Sequence, residues 1–271
     1  MVVTYAVLAA VVSEVVGDAA DVTVLMPNGA DPHEWSPSAK DIETMLNADL
    51  VIDNGLGLEG NLQDPLKEAA AQGVSVFTVS DHITIRTVKA GEGAEVDDPD
   101  QAPGAQDPHL WMDPLTMKQW VGPLVPALQA VGIDAADSGT AVEAELDALN
   151  AEVATILEAV PADRRKLVTG HESLGYLAER YGYDLVGAVI PAITTQAEAS
   201  AGELAALSQK ITAAGVPAIF TEGGTPASTV EAIAGDTGVT VVELSTHTLP
   251  GDGTYRTFML DISNTIAEAL R

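Results

Sequence analysis

Histidine is the residue that brings chemistry to this sequence. Two of its five histidines stand in near-copies of one setting, DPHEW (Asp31 to Trp35) and DPHLW (Asp107 to Trp111). A neutral imidazole offers one ring nitrogen to a metal such as zinc and leaves its second ring N–H for a neighbouring acceptor. In an Asp-Pro-His turn the proline fixes the backbone beside the ring. The aspartate is then a candidate acceptor for that N–H, which would select the tautomer, a role open to Asp31 and Asp107. The chain has no cysteine, so disulfides, thiolate catalysis and Cys-type zinc sites are excluded, and any metal must be held by His, Asp or Glu.

The elements that must position these rings follow a repeated grammar. VTVLM (Val22 to Met26), DLVID (Asp49 to Asp53) and VSVFTV (Val74 to Val79) read as buried strands, and TYAVLAAVV (Thr4 to Val12) as a first strand running into a first helix. A helix capped by Ser36, with Pro37 at its first position, and a second one through Leu62, Leu66 and Ala69 fall between them. Asp113 and Pro114 open a helix carrying Met117, Trp120, Val121, Leu124 and Leu128. A longer helical period runs from about Ser138 to Val160. After Pro161 the grammar restarts with strands KLVT (Lys166 to Thr169), DLVGAV (Asp184 to Val189), PAIFT (Pro217 to Thr221) and VTVVEL (Val239 to Leu244). The helices between them include one opening on a Ser200/Glu203 capping box. A last helix carries Phe258, Met259, Ile262 and Ile266. Strand–helix alternation of this kind predicts two parallel-sheet α/β lobes: residues 1–135, a single long linking helix over 136–161, and residues 162–271.

Parallel sheets gather ligand groups in the loops leaving the carboxyl ends of their strands. His33 follows VTVLM, His171 follows KLVT, His247 follows VTVVEL, and His109 sits at the exit of a long loop before a new helix. Chain order assigns His33 and His109 to the first lobe and His171 and His247 to the second, with the cleft between lobes as the meeting place. Taken singly, a histidine is usually an ordinary surface or core residue. Four at strand ends, two of them in a repeated motif, argue against that reading, whereas His82 in VSDHI has no motif to support it.

The charge excludes other classes. With 40 acidic against 12 basic residues the formal net charge is -28, which repels phosphate backbones and anionic lipid. No nucleic acid is expected as a partner, and no apolar run reaches the length of a membrane span. GEGAEVDDPDQAPGAQD (Gly91 to Asp107) reads as an acidic surface loop.

DPHEWSPSAKDIETMLNADLVIDNGLGLEG, DPHLWMDP, VTGHESLGYLAERYG and IFTEGGTPASTVEAIAGDTGVTVVEL together resemble the cluster A-I solute-binding proteins of bacterial metal-ion ABC transporters, nearly from end to end and in the family's order. The resemblance implies two lobes joined by one long rigid helix and a divalent metal held between them for delivery to a membrane permease. It implies extracytoplasmic placement behind a signal or lipoprotein peptide that this chain lacks, and the expected carrier is monomeric. The family's first two ligand positions fall on His33 and His109. The third, His in zinc-type members and often Glu in manganese-type members, is His171, which favours Zn2+ over Mn2+. The fourth, usually an Asp, aligns with His247, with Asp252 as the alternative. Glu222 is a candidate to hydrogen-bond a ligand. The acidic loop, 87–106, lies where many zinc-type relatives carry a histidine-rich insertion, and is a candidate docking point for a metal-donating chaperone. A zinc hydrolase using Glu34, Glu172 or Glu222 as base is the alternative of another class, as is an adhesin. An HExxH motif, a P-loop and a Ser-His-acid arrangement are all absent, so no enzyme activity is expected.

Overall fold

The computed structural model describes residues 1–89, 92 and 102–271. Among the described residues eight strands form two four-stranded sheets, and every named strand pair is parallel. The first sheet runs in the order β2 (Thr23–Val24), β1 (Val2–Val3), β3 (Leu50–Asp53), β4 (Ser75–Thr78). The second runs β6 (Asp184–Ala188), β5 (Lys166–Thr169), β7 (Ala218–Thr221), β8 (Thr240–Glu243). The two orders are the same permutation. In each, the chain winds one way from the opening strand and then the other, leaving a switch point between the first and third strands of the set.

The helices are α1 (Ala6–Val16), α2 (Ala39–Leu46), α3 (Gln63–Ala71), α4 (Pro114–Gln119), α5 (Val121–Ala130), α6 (Ala136–Glu158), α7 (Gly175–Tyr181), α8 (Ala201–Ala214), α9 (Ala227–Thr237) and α10 (Tyr255–Leu270). The long connecting helix is α6. Two helical readings need correction. The cap of α2 is Ser38 and not Ser36: its hydroxyl accepts from the Asp41 N–H, while the Asp41 carboxylate accepts from the Ser38 N–H at 2.8 Å. This reciprocal box satisfies two donors that Ser36 followed by proline does not. The single helix expected after Asp113 is instead α4 and α5, meeting at Trp120. Pro123 has no N–H to return to Gln119, and its ring clashes with that carbonyl, so the helix breaks there.

The chain divides into two compact units that do not follow chain order. The first unit comprises Met1–Thr84, Asp113–Ala151 and His247–Phe258; the second comprises Ile85–Met112, Glu152–Thr246 and Met259–Arg271. His109 therefore counts with the second unit and His247 with the first, the reverse of their assignment by chain order. Physical contacts explain both. The Arg86 N–H donates to the Tyr176 hydroxyl at 3.0 Å and that hydroxyl donates to the Asp107 carbonyl at 3.2 Å, while Val88 and Ala105 pack with Ile193. Leu249 and Asn28 exchange two hydrogen bonds, at 2.8 and 3.0 Å. The second unit is filled by Val168 and Ile219 from β5 and β7, Val189 just past β6, Val216 just before β7, Leu207 and Ile211 from α8, and Val230 and Ile233 from α9.

A candidate metal centre

In the second unit the switch point lies between β5 and β7, and the residues just beyond those two strands face one another. His171 follows β5 and Glu222 follows β7. His171 Nδ1 stands 2.7 Å from Glu222 Oε1, and the His171 N–H donates to the same oxygen at 3.2 Å. Glu222 also accepts from the Ser173 hydroxyl, at 2.9 Å on Oε1 and 3.0 Å on Oε2, and from the Thr246 hydroxyl on Oε2. This many donors fix the orientation of the carboxylate. Gly170 makes the approach possible, because a methyl there would strike the Thr225 hydroxyl and press on Glu222.

The second Asp-Pro-His turn delivers the other ring. Asp107 Oδ1 accepts from the His109 N–H at 3.0 Å and lies 2.9 Å from His109 Nδ1. His109 is packed edge-on against Trp111, whose indole N–H donates to the Thr246 carbonyl at 2.9 Å. His109 Nε2 and His171 Nε2 are 3.0 Å apart, and both rings are fully buried. A lone pair on either Nδ1 would repel the carboxylate oxygen beside it, so both rings prefer to carry their proton on Nδ1. The two Nε2 lone pairs are then aimed at each other, an arrangement that attracts a cation. Two nitrogens bound to zinc at about 2.0–2.1 Å in tetrahedral geometry are about 3.3 Å apart, so a small opening of the pair accommodates the ion. Burial pushes the His109 pKa down, against the pull of Asp107, which keeps the ring neutral and ligand-competent at neutral pH.

His33 and His247 lie in the first unit and are both buried. Asp31 Oδ1 accepts from the His33 N–H at 2.9 Å, so the two Asp-Pro-His turns share one backbone bond. Asp252 is exposed, and its carboxylate accepts from the Thr257 hydroxyl at 2.5 Å and the Thr254 N–H at 3.2 Å, while the cap at the start of α10 is the Thr254 hydroxyl, which accepts from the Thr257 N–H at 3.1 Å. Glu34 is exposed, and so is His82, which stacks on Phe77. Most of the acidic loop lies outside the described residues, as does the docking role considered for it.

The first unit's own switch point, between β1 and β3, is occupied by the protein. Gly55, Leu56 and Gly57 have φ of 80, 56 and 74°, turning the chain so that Glu59 folds back to accept from the Asn54 N–H at 2.8 Å and the Thr4 hydroxyl at 2.7 Å. Asp53 accepts from the Thr78 hydroxyl at 2.8 Å. Burial, with the Asp53 charge adding, pushes the Glu59 pKa up to about 7. Burial likewise pushes Asp53 up to about 6.

Residues 1–269 match the family model described as zinc-uptake complex component A, periplasmic. The chain belongs to the cluster A-I family of metal-binding solute-binding proteins. Within this family of metal ABC transporter substrate-binding proteins, the chain is 32% identical over 213 residues to the zinc-binding protein TroA of Treponema pallidum, a match covering 77% of this chain and 65% of that protein, just under two thirds of its length. The solved structure of periplasmic zinc-binding TroA superposes with a TM-score of 0.82 at 28% identity, covering 99% of this chain and 98% of that one. The chain is also 25% identical over 245 residues to the manganese-binding lipoprotein MntA of Halalkalibacterium halodurans, covering 89% of this chain and 76% of that one. It is 26% identical over 272 residues to the iron ABC transporter substrate-binding lipoprotein MtsA of Streptococcus pyogenes, covering 94% of this chain and 84% of that one. The cluster A-I relatives are thus named for zinc, manganese and iron, as periplasmic or lipoprotein binding proteins. Among the described residues no helix is long and apolar enough to cross a membrane. Sequence reading named both histidines and Glu222 but missed Arg86, Ser173, Tyr176 and Thr246. For Arg86 the available signal was an arginine at the neck of an acidic loop in a chain with only 12 basic residues.

Proposed function

We propose that this protein captures a divalent transition metal outside the cytoplasm, with Zn2+ its preferred cargo, and delivers it to a membrane ABC permease without turning it over. The observation that carries the reading is the buried His109–His171 pair, each Nδ1 against a carboxylate and the two Nε2 atoms facing each other at 3.0 Å. Imidazole donors suit zinc better than manganese, whose preference is for carboxylate, carbonyl and water. His33 and His247 complete a set of four donors in this proposal, both being buried and each lying in a loop that leaves a strand. Asp252 is disfavoured as fourth ligand because it is exposed and its two oxygens are engaged by the Thr254 N–H and the Thr257 hydroxyl. Four protein ligands close the coordination shell, whereas hydrolysis needs an open position for water, so storage and release fit better than catalysis.

The deciding experiment is calorimetric zinc titration of chelator-stripped protein at neutral pH with manganese as competitor. One tight zinc equivalent is expected, weakened by about 10- to 100-fold or more in His247→Ala and unchanged in Asp252→Ala. Absence of tight binding in the wild type would overturn the carrier reading. Loss in Asp252→Ala alone would move the fourth ligand there.

A further inference from the structure

The proposed ligand His109 is oriented by Asp107, and Asp107 is itself gripped from behind. Arg86 Nη1 donates to Asp107 Oδ2 at 3.0 Å, so one carboxylate oxygen serves the guanidinium and the other serves the His109 ring. The Asp107 side chain is fully buried and the Arg86 side chain is 6% exposed, making Arg86 the buried basic residue among those described. The backbones of the same two residues are joined, Asp107 N–H to Arg86 O at 2.9 Å. The guanidinium is completed by Glu92 on Nη2 and by Glu179, whose Oε2 lies 3.4 Å from Nε and 2.8 Å from Lys89 Nζ. Gly175 is shaped to this pair, because a methyl at that position would land on both the guanidinium and the Asp107 carboxylate.

Without the guanidinium, Oδ2 of Asp107 is free and the carboxylate is held through Oδ1 alone, by the His109 N–H and ring, which leaves its rotation about the last bond less restrained. A bidentate-capable arginine fixes that rotation, and its charge balances that of a buried aspartate, which a lone hydrogen bond to a neutral ring cannot do. We propose that Arg86 is a positioning residue for metal capture: it locks Asp107 so that His109 keeps its proton on Nδ1 and presents its Nε2 lone pair to the cation. The proposal rests on the carrier reading above and deepens it, since nothing in the metal's own coordination sphere calls for an arginine more than one shell away.

A double-mutant cycle tests it. Zinc affinity, read by competition with a chromophoric chelator, is expected to fall about 10- to 100-fold in Arg86→Gln and by a similar factor in Asp107→Asn. In Arg86→Gln with Asp107→Asn the loss is expected to match the larger single loss instead of multiplying, because Arg86 acts through Asp107. Nitrogen-15 spectra of the metal-free protein supply a readout that a merely structural role leaves unmoved: the protected Nδ1–H signal of His109, present in the wild type, is expected to be lost or split in Arg86→Gln. If Arg86→Gln does not fold, Arg86→Lys, which keeps the charge but loses the planar fork, is expected to show the same signal change with a smaller affinity loss. Multiplying losses, or zinc affinity within twofold of wild type with an unchanged His109 signal, would overturn the role of Arg86 and leave the carrier intact. A wild type that binds no zinc would instead remove the carrier reading, and this inference with it.

Discussion

Asp107 and Glu222 differ from Glu59, another buried carboxylate, in what stands beside them. Asp107 and Glu222 face arginine, hydroxyl and imidazole donors. Glu59 has its hydrogen bonds from Thr4 and Asn54, but it also has the Asp53 charge nearby and no cation, and its pKa is raised to about 7. A raised carboxyl pKa means the folded chain holds a proton that the unfolded chain releases. The resulting stability is fully present below the ordinary glutamate value and is lost as pH rises through about 7. His109, with its pKa lowered chiefly by burial, acts in the opposite sense: the unfolded chain takes the proton first, so its contribution is present above about 6.5 and is lost as pH falls below that toward the lowered folded value. Comparing metal-free wild type with Glu59→Gln between pH 5 and pH 8 cancels the histidine effect. Thermal melts are expected to show the wild type losing stability toward pH 8 more steeply than Glu59→Gln; parallel slopes would show that Glu59 is ionised throughout.

At the scale of elements, local signals were legible wherever local bonds decide the outcome. The Ser200/Glu203 box is read from four residues and is present as read, Ser200 N–H donating to Glu203 at 2.7 Å and Glu203 N–H to the Ser200 hydroxyl at 3.3 Å. Removing it in Ser200→Ala is expected to cost about 1 kcal/mol, seen as faster amide exchange confined to the first turn of α8, with the core contacts of Leu207 and Ile211 kept. The start of α2 was misread because two serines compete for the cap and only Asp41, three residues past Ser38, settles between them. Most strands were legible from their β-branched runs, but the first, expected at the start of Thr4 to Val12, is Val2–Val3, and β2 shrank from five expected residues to Thr23–Val24. What sequence pattern could not show is any bond between distant segments. Arg86 meets Tyr176 across a separation of 90 residues, and that contact, with its neighbours, draws the whole Ile85–Met112 segment into the second unit. The histidines themselves were legible because strand-end position and a repeated turn are local features. Their grouping by unit was not.

For the whole molecule, cargo and stability are linked by mass action. A ligand that binds only the folded chain stabilises it by about 2.7 kcal/mol at a free concentration of about 100 times its Kd, which for a chain of this size corresponds to roughly 5–10 °C in Tm. Zinc at such an excess over chelator-stripped protein is expected to raise the melting temperature by that amount, manganese at equal concentration by less, and EDTA to reverse both. An equal shift from the two ions would remove the preference for zinc.

The chain winds the same strand order twice, yet the two winding reversals end differently. One receives His171 and Glu222 at its strand ends, while the other is stoppered by Glu59 from the following loop and Asp53 at the end of β3. A doubled architecture therefore does not double the payload: loading should saturate at a single ion per chain, because a second ion could enter the stoppered reversal only after Glu59 and Asp53 had been pulled out of their hydroxyl and amide partners.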